Sequence, residues 1–290
     1  MKPTSAQVPR FYLDAPLRAG SSSVLPEDAA HHAVHVMRLH AGDEITLFNG
    51  RGGEYAARIA SVERLRIAAD VLEHRALERE SPLRVTLVQG VSAGERMDFT
   101  IRKAVELGVA EIQPLLAERS VARPKGDRAD ARQAHWQKVV VAACEQSGRN
   151  RIPPVQPLIA EAAAYRPPGN DTSQKILLSP RSEAAFSAIC EKDQTSFILA
   201  AGPEAGFTAE EEAALCDSGF LKADTPLEIT STPVSAVQPD DNARRRRKTV
   251  TASVAALDGA GVGVVPAMPS PNNILRNPIP SMSRSVPMKR

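Results

Sequence analysis

Phe197-Ile198-Leu199-Ala200-Ala201-Gly202-Pro203-Glu204-Ala205-Gly206-Phe207-Thr208 runs directly into Ala209-Glu210-Glu211-Glu212. An apolar run, a short Gly/Pro loop and an acidic helix start, in that order, predict strand, tight turn and helix. At such a junction backbone N–H groups and a helix N-terminus converge on one point, which suits a polar small molecule. An ordinary strand-to-helix turn carries the same local signature. A second segment tips the balance: Ile176-Leu177-Leu178-Ser179-Pro180-Arg181 also breaks an apolar strand on a small-residue and proline loop. Two such strands side by side bring two loops to one edge of a parallel sheet, where open α/β sheets bind ligands.

Working outwards, residues 83–89 read as a β-branched strand and 90–96 as a loop. Residues 97–107 read as a helix with Met97, Ile101, Ala104 and Val105 on one face, closing at Gly108. Residues 111–116 form the next strand, and this β-α-β order implies a right-handed crossover and a parallel sheet. A long helix is expected over 129–147, with Trp136, Val139, Val140 and Ala143 as its apolar stripe and Gly148 as its stop. Strands at 175–179 and 196–201, with a helix at 182–191 between them, complete an α/β domain. Residues 1–75 look like a smaller β-rich unit. Two of its strands, 44–48 and 54–59, are joined across Asn49-Gly50-Arg51-Gly52-Gly53 and read as a hairpin. Between Pro26 and Leu39 lies a helical pattern carrying His31, His32, His35 and Arg38. No acidic third ligand or HExxH spacing accompanies the histidines, so a surface or RNA-facing helix is expected there rather than a metal site. From about Leu221 the periodicity fades, Arg244–Lys248 is a run of like charge, and residues 261–290, rich in proline and serine, are expected to be disordered.

Composition narrows the class. A chain of 290 residues is long enough for two domains, and 42% apolar with 24% charged residues is ordinary for a globular protein. A net charge of +2 gives no global polycation, so any basic surface arises from local clustering. Cys144, Cys190 and Cys216 are far apart and fit neither a zinc site nor a disulfide framework. No stretch approaches 18 apolar residues and no N-terminal apolar segment is present, so a cytoplasmic protein without membrane spans is expected.

Several segments, in order, resemble one family. They are Pro9-Arg10-Phe11-Tyr12, His31-His32, Val36-Met37-Arg38-Leu39, Gln89-Gly90, Lys103–Val109, Glu118-Arg119-Ser120-Val121, Ala143–Arg149, Leu178-Ser179-Pro180 and Gly202-Pro203-Glu204-Ala205-Gly206. Over roughly residues 9–220 the chain resembles the RsmE-type 16S rRNA (uracil-N3) methyltransferases of the SPOUT superfamily. The resemblance implies an α/β chain built from an N-terminal PUA-like RNA-binding β-barrel (1–75) and a C-terminal SPOUT domain with a trefoil knot (76–260), active as a homodimer. It implies S-adenosyl-L-methionine as cofactor, no metal, and the uridine at position 1498 of 16S rRNA in the 30S subunit as target, methylated on N3. A homologue that binds RNA or the ribosome without catalysis, or a superfamily member acting on tRNA, are the alternatives.

The resemblance assigns Leu178, Ser179, Pro180, Gly202, Pro203, Glu204 and Gly206 to the cofactor loops. Arg10, Glu204 and Arg149 are the candidate catalytic residues, and Arg10, Arg38, Arg119 and Arg149 the RNA contacts, since arginine stays charged and donates in a fork to phosphate. Two departures stand out. Ala205 replaces a glycine of the family's GPEGG loop. The family's closing cofactor motif, due soon after Phe220, is replaced by Lys222-Ala223-Asp224-Thr225-Pro226, with a faint echo at Lys248–Ala252 that would put Thr249 and Thr251 at the cofactor. A frameshifted or otherwise altered C-terminus would explain that ending.

Overall fold

The computed structural model describes residues 8–64, 66–167, 171–191 and 193–224. Among them, two five-stranded sheets form. The first uses β1 (Arg10–Tyr12), β2 (Ser22–Val24), β3 (Glu44–Phe48), β4 (Glu54–Glu63) and β5 (Arg66–Arg75) in the order β1-β3-β4-β5-β2. The predicted hairpin is β3–β4, antiparallel and turned at Asn49–Gly53. Leu47 and Phe48 are fully buried, as are Ile59 and Ile67, and with Phe11 and Ile45 they supply the large buried side chains of this part. The helical pattern after Pro26 resolves into α1 (Glu27–His31) running on into a π turn, His32–Val36, which ends at Arg38 with φ +56°. The rings of His31 and His35 meet at a tilt, with centroids 4.5 Å apart. Among the described residues no group of three or more His, Cys, Asp or Glu is placed to hold a metal ion.

The second sheet contains β6 (Arg84–Gly90), β7 (Glu111–Leu115), β8 (Gln174–Leu178), β9 (Ser196–Ala201) and β10 (Leu221–Ala223), in the order β10-β8-β9-β6-β7. All its pairs are parallel, as the β-α-β reading of 83–121 required. Buried on both faces, these strands read as nearly unbroken apolar runs. α2 (Gly94–Glu106) and α3 (Asp127–Ser147) pack together beside it, α2 turning in Met97, Ile101, Ala104 and Val105, and α3 Trp136, Val140, Ala143 and Cys144. Gly148, at φ +81°, ends α3 in the left-handed conformation that a side chain would resist. Beyond it the chain runs extended beside β7: the Ile112 N–H donates to the Pro154 carbonyl and the Gln156 N–H to that of Ile112. The open edge of β7 is thereby covered, which removes an exposed pairing template.

Two expectations are corrected. The helix over 182–191 shrinks to α4, Phe186–Ile189. Ser182 and Pro180 belong instead to a turn in which the Ser182 N–H donates to the Ser179 carbonyl. The ordered pattern also does not fade at Leu221, because β10 pairs with β8 in register Leu221 to Ile176. The basic run at 244–248, Thr249, Thr251 and the tail at 261–290 lie outside the described residues.

Candidate functional site

Strand order decides where a site forms. β8, β9 and β6 are neighbours and all point the same way, so the loops after them meet at one edge. These are residues 179–185, 202–208 and 91–93. Here the chain also reverses its direction of travel across the sheet, the position where open α/β sheets leave a crevice.

The 202–208 loop is tightly wound. The Gly206 N–H donates to the Pro203 carbonyl at 2.7 Å, and Gly206 takes φ +69°. A Cβ on Gly202 would come within 2.9 Å of the backbone of Gly206 and Phe207. A Cβ on Gly90, the last residue of β6, would lie 2.5 Å from the Pro203 nitrogen and 2.8 Å from the Gly202 carbonyl carbon. Only glycine at both positions lets the β6 end and the loop lie backbone on backbone. Gln89 seals the joint from beneath, its Nε2 donating to the carbonyls of Gly90 (2.9 Å) and Gly202 (3.1 Å). Its Oε1 is buried without a partner. Thr208 then starts α5 (Ala209–Asp217) with a reciprocal capping box: Glu211 N–H to Thr208 Oγ1 at 3.2 Å, and Thr208 N–H to Glu211 Oε2 at 2.9 Å. The left-handed position in this loop is Gly206, whereas Ala205 keeps a negative φ. The Ala205 departure is therefore compatible with the turn. Ala205→Gly is expected to lower stability by less than about 1 kcal/mol, through unfolded-state entropy alone, and to leave cofactor affinity within twofold by titration calorimetry.

Glu204 reaches across to the third loop. Its Oε1 accepts from the Ala93 N–H at 3.0 Å and lies 3.5 Å from Arg96 Nη1. It holds the 202–208 loop against the start of α2. Arg119, exposed, donates from Nη1 to the Ala205 carbonyl at 3.0 Å, which puts its charge on the rim of the loop. Leu178 is in the core and Pro180 is exposed at the loop tip. Ser179 is fully buried. Its N–H donates to the Ala223 carbonyl, and its hydroxyl donates at 2.7 Å to Glu212 Oε1.

Sequence reasoning passed over Glu212. It is 2% exposed on α5, yet gathers Ser179, Arg181 Nη1 (3.0 Å) and Lys222 Nζ (2.9 Å). Burial alone would raise its carboxyl, but the hydrogen bonds from Lys222 and Ser179 and the charges of Lys222 and Arg181 outweigh burial and hold it below the usual range. One carboxylate thus joins the 179–185 loop, α5 and β10. The one signal in the sequence is a charged residue on the helix face that also carries buried Leu215. Glu212→Gln is expected to cost about 2–3 kcal/mol, measured by urea unfolding, because it leaves a buried hydrogen-bond set short of charge.

Arg10 and Arg149 are placed differently from their expected roles. Arg10 Nη1 donates to Glu54 Oε2 at 2.5 Å and its Nη2 to Asn150 Oδ1 at 2.6 Å, with Phe48 under its guanidinium. Arg149 donates to the carbonyls of Val105 and Val109, closing the C-terminal end of α2, and pairs with Glu80 at 2.5 Å. Both are at least nine-tenths buried. They belong to a joint in which three consecutive residues stitch the two sheets' domains together. Glu78 accepts from the Gly53 N–H and pairs with Arg151, Arg79 bonds Glu54 and the Gly148 carbonyl, and Glu80 holds Arg149. Glu145 adds to this joint by accepting the Tyr12 N–H at 2.9 Å. A fork-shaped cation that never loses its charge suits a buried hub as well as it suits phosphate, so sequence alone did not separate the two roles. Arg38 is exposed on the N-terminal part, away from this network.

A parallel sheet with three convergent strand-end loops, preceded by a β-rich part, defines an α/β protein whose strand edge is suited to a ligand. The family model for an RNA methyltransferase domain matches residues 79–224, and that for an RNA methyltransferase PUA domain matches residues 25–72. The ribosomal RNA small subunit methyltransferase E of Mycobacterium bovis is 30% identical over 214 residues, 73% of this chain and 81% of that one. The crystal structure of a ribosomal RNA small subunit methyltransferase E from Neisseria gonorrhoeae bound to S-adenosyl methionine is similar at 33% identity and TM-score 0.69, covering 84% of this chain and 96% of that one. A putative methyltransferase of Legionella pneumophila, in complex with the same cofactor, gives 27% identity and TM-score 0.72, covering 87% of this chain and 96% of that one. The chain belongs to the RNA methyltransferase family that includes the ribosomal RNA small subunit methyltransferases E.

Proposed function

We propose that this chain transfers a methyl group from S-adenosyl-L-methionine to N3 of a uridine in 16S rRNA, within the 30S subunit. The observation that carries the reading is the meeting of the 91–93, 179–185 and 202–208 loops at one edge of the parallel sheet, with Gly90 and Gly202 letting the 202–208 loop pack tightly there. Those glycines fix the shape of the loop, and a concave strand edge offering backbone polar groups suits an adenine and an amino-acid tail. When bound, the cofactor supplies an electrophilic methyl on a sulfonium. Leu178, Pro180, Gly202, Pro203 and Gly206 are the residues we assign to holding it, with backbone groups as the contacts.

The protein's own part in the reaction is alignment, since in-line transfer depends on holding two centres in a near-attack arrangement. Glu204, anchored by the Ala93 N–H, fixes the loop and is the carboxylate we place nearest the reacting base. Arg119 is bonded to the same loop and is suited to favour the anionic uracil, and Arg38 is suited to a phosphate contact on the N-terminal domain. Arg10 and Arg149 enter the proposal only through the joint between domains. The trefoil knot, the closed barrel, the homodimer and the cytoplasmic setting also belong to this proposal and rest on the family resemblance. The names of the relatives favour small-subunit rRNA over tRNA as substrate.

Titration calorimetry with S-adenosyl-L-methionine is expected to give micromolar binding. Incubation with 30S subunits that lack the modification is expected to add one methyl per subunit. A folded protein that binds no cofactor would sink the reading.

A further inference from the structure

The face of α3 that begins after Gly126 has no part in the cofactor loops. Arg128, Arg132 and His135 are spaced four and three apart, so they lie on one side of the helix. With Arg123 and the small residues between them they line an open groove of about 530 Å³. No acidic side chain lines it. The acids of this helix turn, Asp127 and Asp130, are not among the lining residues, and Asp98 meets the groove only by holding His135 Nε2 at 2.9 Å. The contrast with the other surface clefts is sharp. The cleft on the first sheet balances Arg10, Arg75 and Arg79 against Glu44, Glu54 and Glu73, and the one beside α5 sets Glu118, Glu161, Glu210 and Glu211 against Arg123 alone, which borders both that cleft and the groove.

The groove is also connected to the site. Arg123 donates to the carbonyls of Ala117 and Glu118, and the next residue, Arg119, donates to the Ala205 carbonyl of the 202–208 loop. The segment that borders the groove is thereby tied to the 202–208 loop. Two kinds of partner fit a basic helix face: a polyanion or another copy of this chain. An isologous contact between copies would set arginine against arginine, and like charges juxtaposed in an interface are strongly disfavoured. A polyanion meets no such penalty.

We propose that the groove formed by Arg123, Arg128, Arg132 and His135 is a track for the phosphate backbone of the RNA substrate, carrying the strand to the cofactor loops. This rests on the functional reading above and adds to it the surface that takes the RNA. Each phosphate contact adds roughly 0.7–0.9 to the slope of log binding constant against log salt. The full-length Arg128→Gln/Arg132→Gln protein is compared with the wild type on purified 16S rRNA. Its salt slope is expected to fall by about 1.4–1.8 and its affinity near 0.1 M salt by roughly 25- to 60-fold, with cofactor affinity by calorimetry unchanged. Arg128→Lys/Arg132→Lys, which keeps the charges, is expected to restore most of both.

An unchanged slope, or loss of self-association in sedimentation of the glutamine variant, overturns the track. Wild-type methylation of 30S subunits is measured alongside. If methylation is present and the slope is unchanged, the track fails and the functional reading stands. If methylation is absent but the slope is lost in the variant, the functional reading fails and the track stands.

Discussion

Replacing Glu54 by alanine is expected to destabilise the protein by roughly 3–5 kcal/mol, the typical cost of removing one partner from a buried ion pair. Glu54 accepts from Arg10 Nη1 at 2.5 Å and from Arg79 Nη1 at 2.7 Å, and its side chain and that of Arg10 are each only 6% exposed. Arg79 is open enough to turn to solvent when its partner is lost. Arg10 is not: wedged between Phe48 and Asn150, it would keep an uncompensated charge. Urea unfolding of Glu54→Ala and Arg10→Met, singly and together, checks this. The double variant is expected to recover part of the loss, because no lone charge then stays buried. A cost under about 1 kcal/mol for Glu54→Ala would show that the pair is dispensable.

The pH dependence follows from the same geometry. Burial alone would raise the Glu54 carboxyl, but hydrogen bonds from Arg79 and Arg10, together with their charges, prevail and hold it below the usual carboxylate range. A carboxylate with a depressed folded value contributes stability above its unfolded value, about 4.3, and loses it as pH falls through the folded one. The stability gap between the wild type and Glu54→Gln is therefore expected to stay level from neutral pH down to about 5 and to close below about 4.

Gly90→Ala is expected to weaken S-adenosyl-L-methionine binding at least tenfold, about 1.4 kcal/mol or more. The added Cβ would meet the Pro203 nitrogen and Cδ at 2.5 Å, and neither atom belongs to a flexible chain end. The 202–208 loop must then move off β6, breaking the Gln89 bonds that fix it. Stability is expected to fall by about 1–3 kcal/mol, as overpacked sites generally do. Calorimetry and thermal melting separate the two effects. Unchanged affinity in Gly90→Ala would remove the 202–208 loop from the cofactor site.

Much of the scaffold was legible because its signals are local. Apolar runs ending on Gly/Pro loops marked β8 and β9, and the spacing of Met97, Ile101, Ala104 and Val105 gave α2 its buried face. Gly108 and Gly148 marked two helix ends. The helix over 182–191 was overread, since an eight- to ten-residue pattern with few apolar anchors yields to turn bonds such as Ser182 to Ser179. Of the site, the loops were legible and the side-chain roles were not. Arg10, Arg149 and Ser179 were chosen for their chemistry, but the fold uses that chemistry internally: Arg10 and Arg149 in the joint, Ser179 against Glu212.

From the sequence by itself came most strands and helices, though not β2, β5 or β10, together with the parallel sheet and the two convergent loops, because periodicity and turn chemistry act over a few residues. Tertiary structure alone decided which cations are buried and which face solvent. Arg10 meets Asn150 across 140 positions, and Glu212 meets Ser179 across 33. No local pattern encodes such pairings. They arise when the packing of β1 on α3, and of α5 against β8, removes water from charged groups that must then find partners among the residues brought beside them.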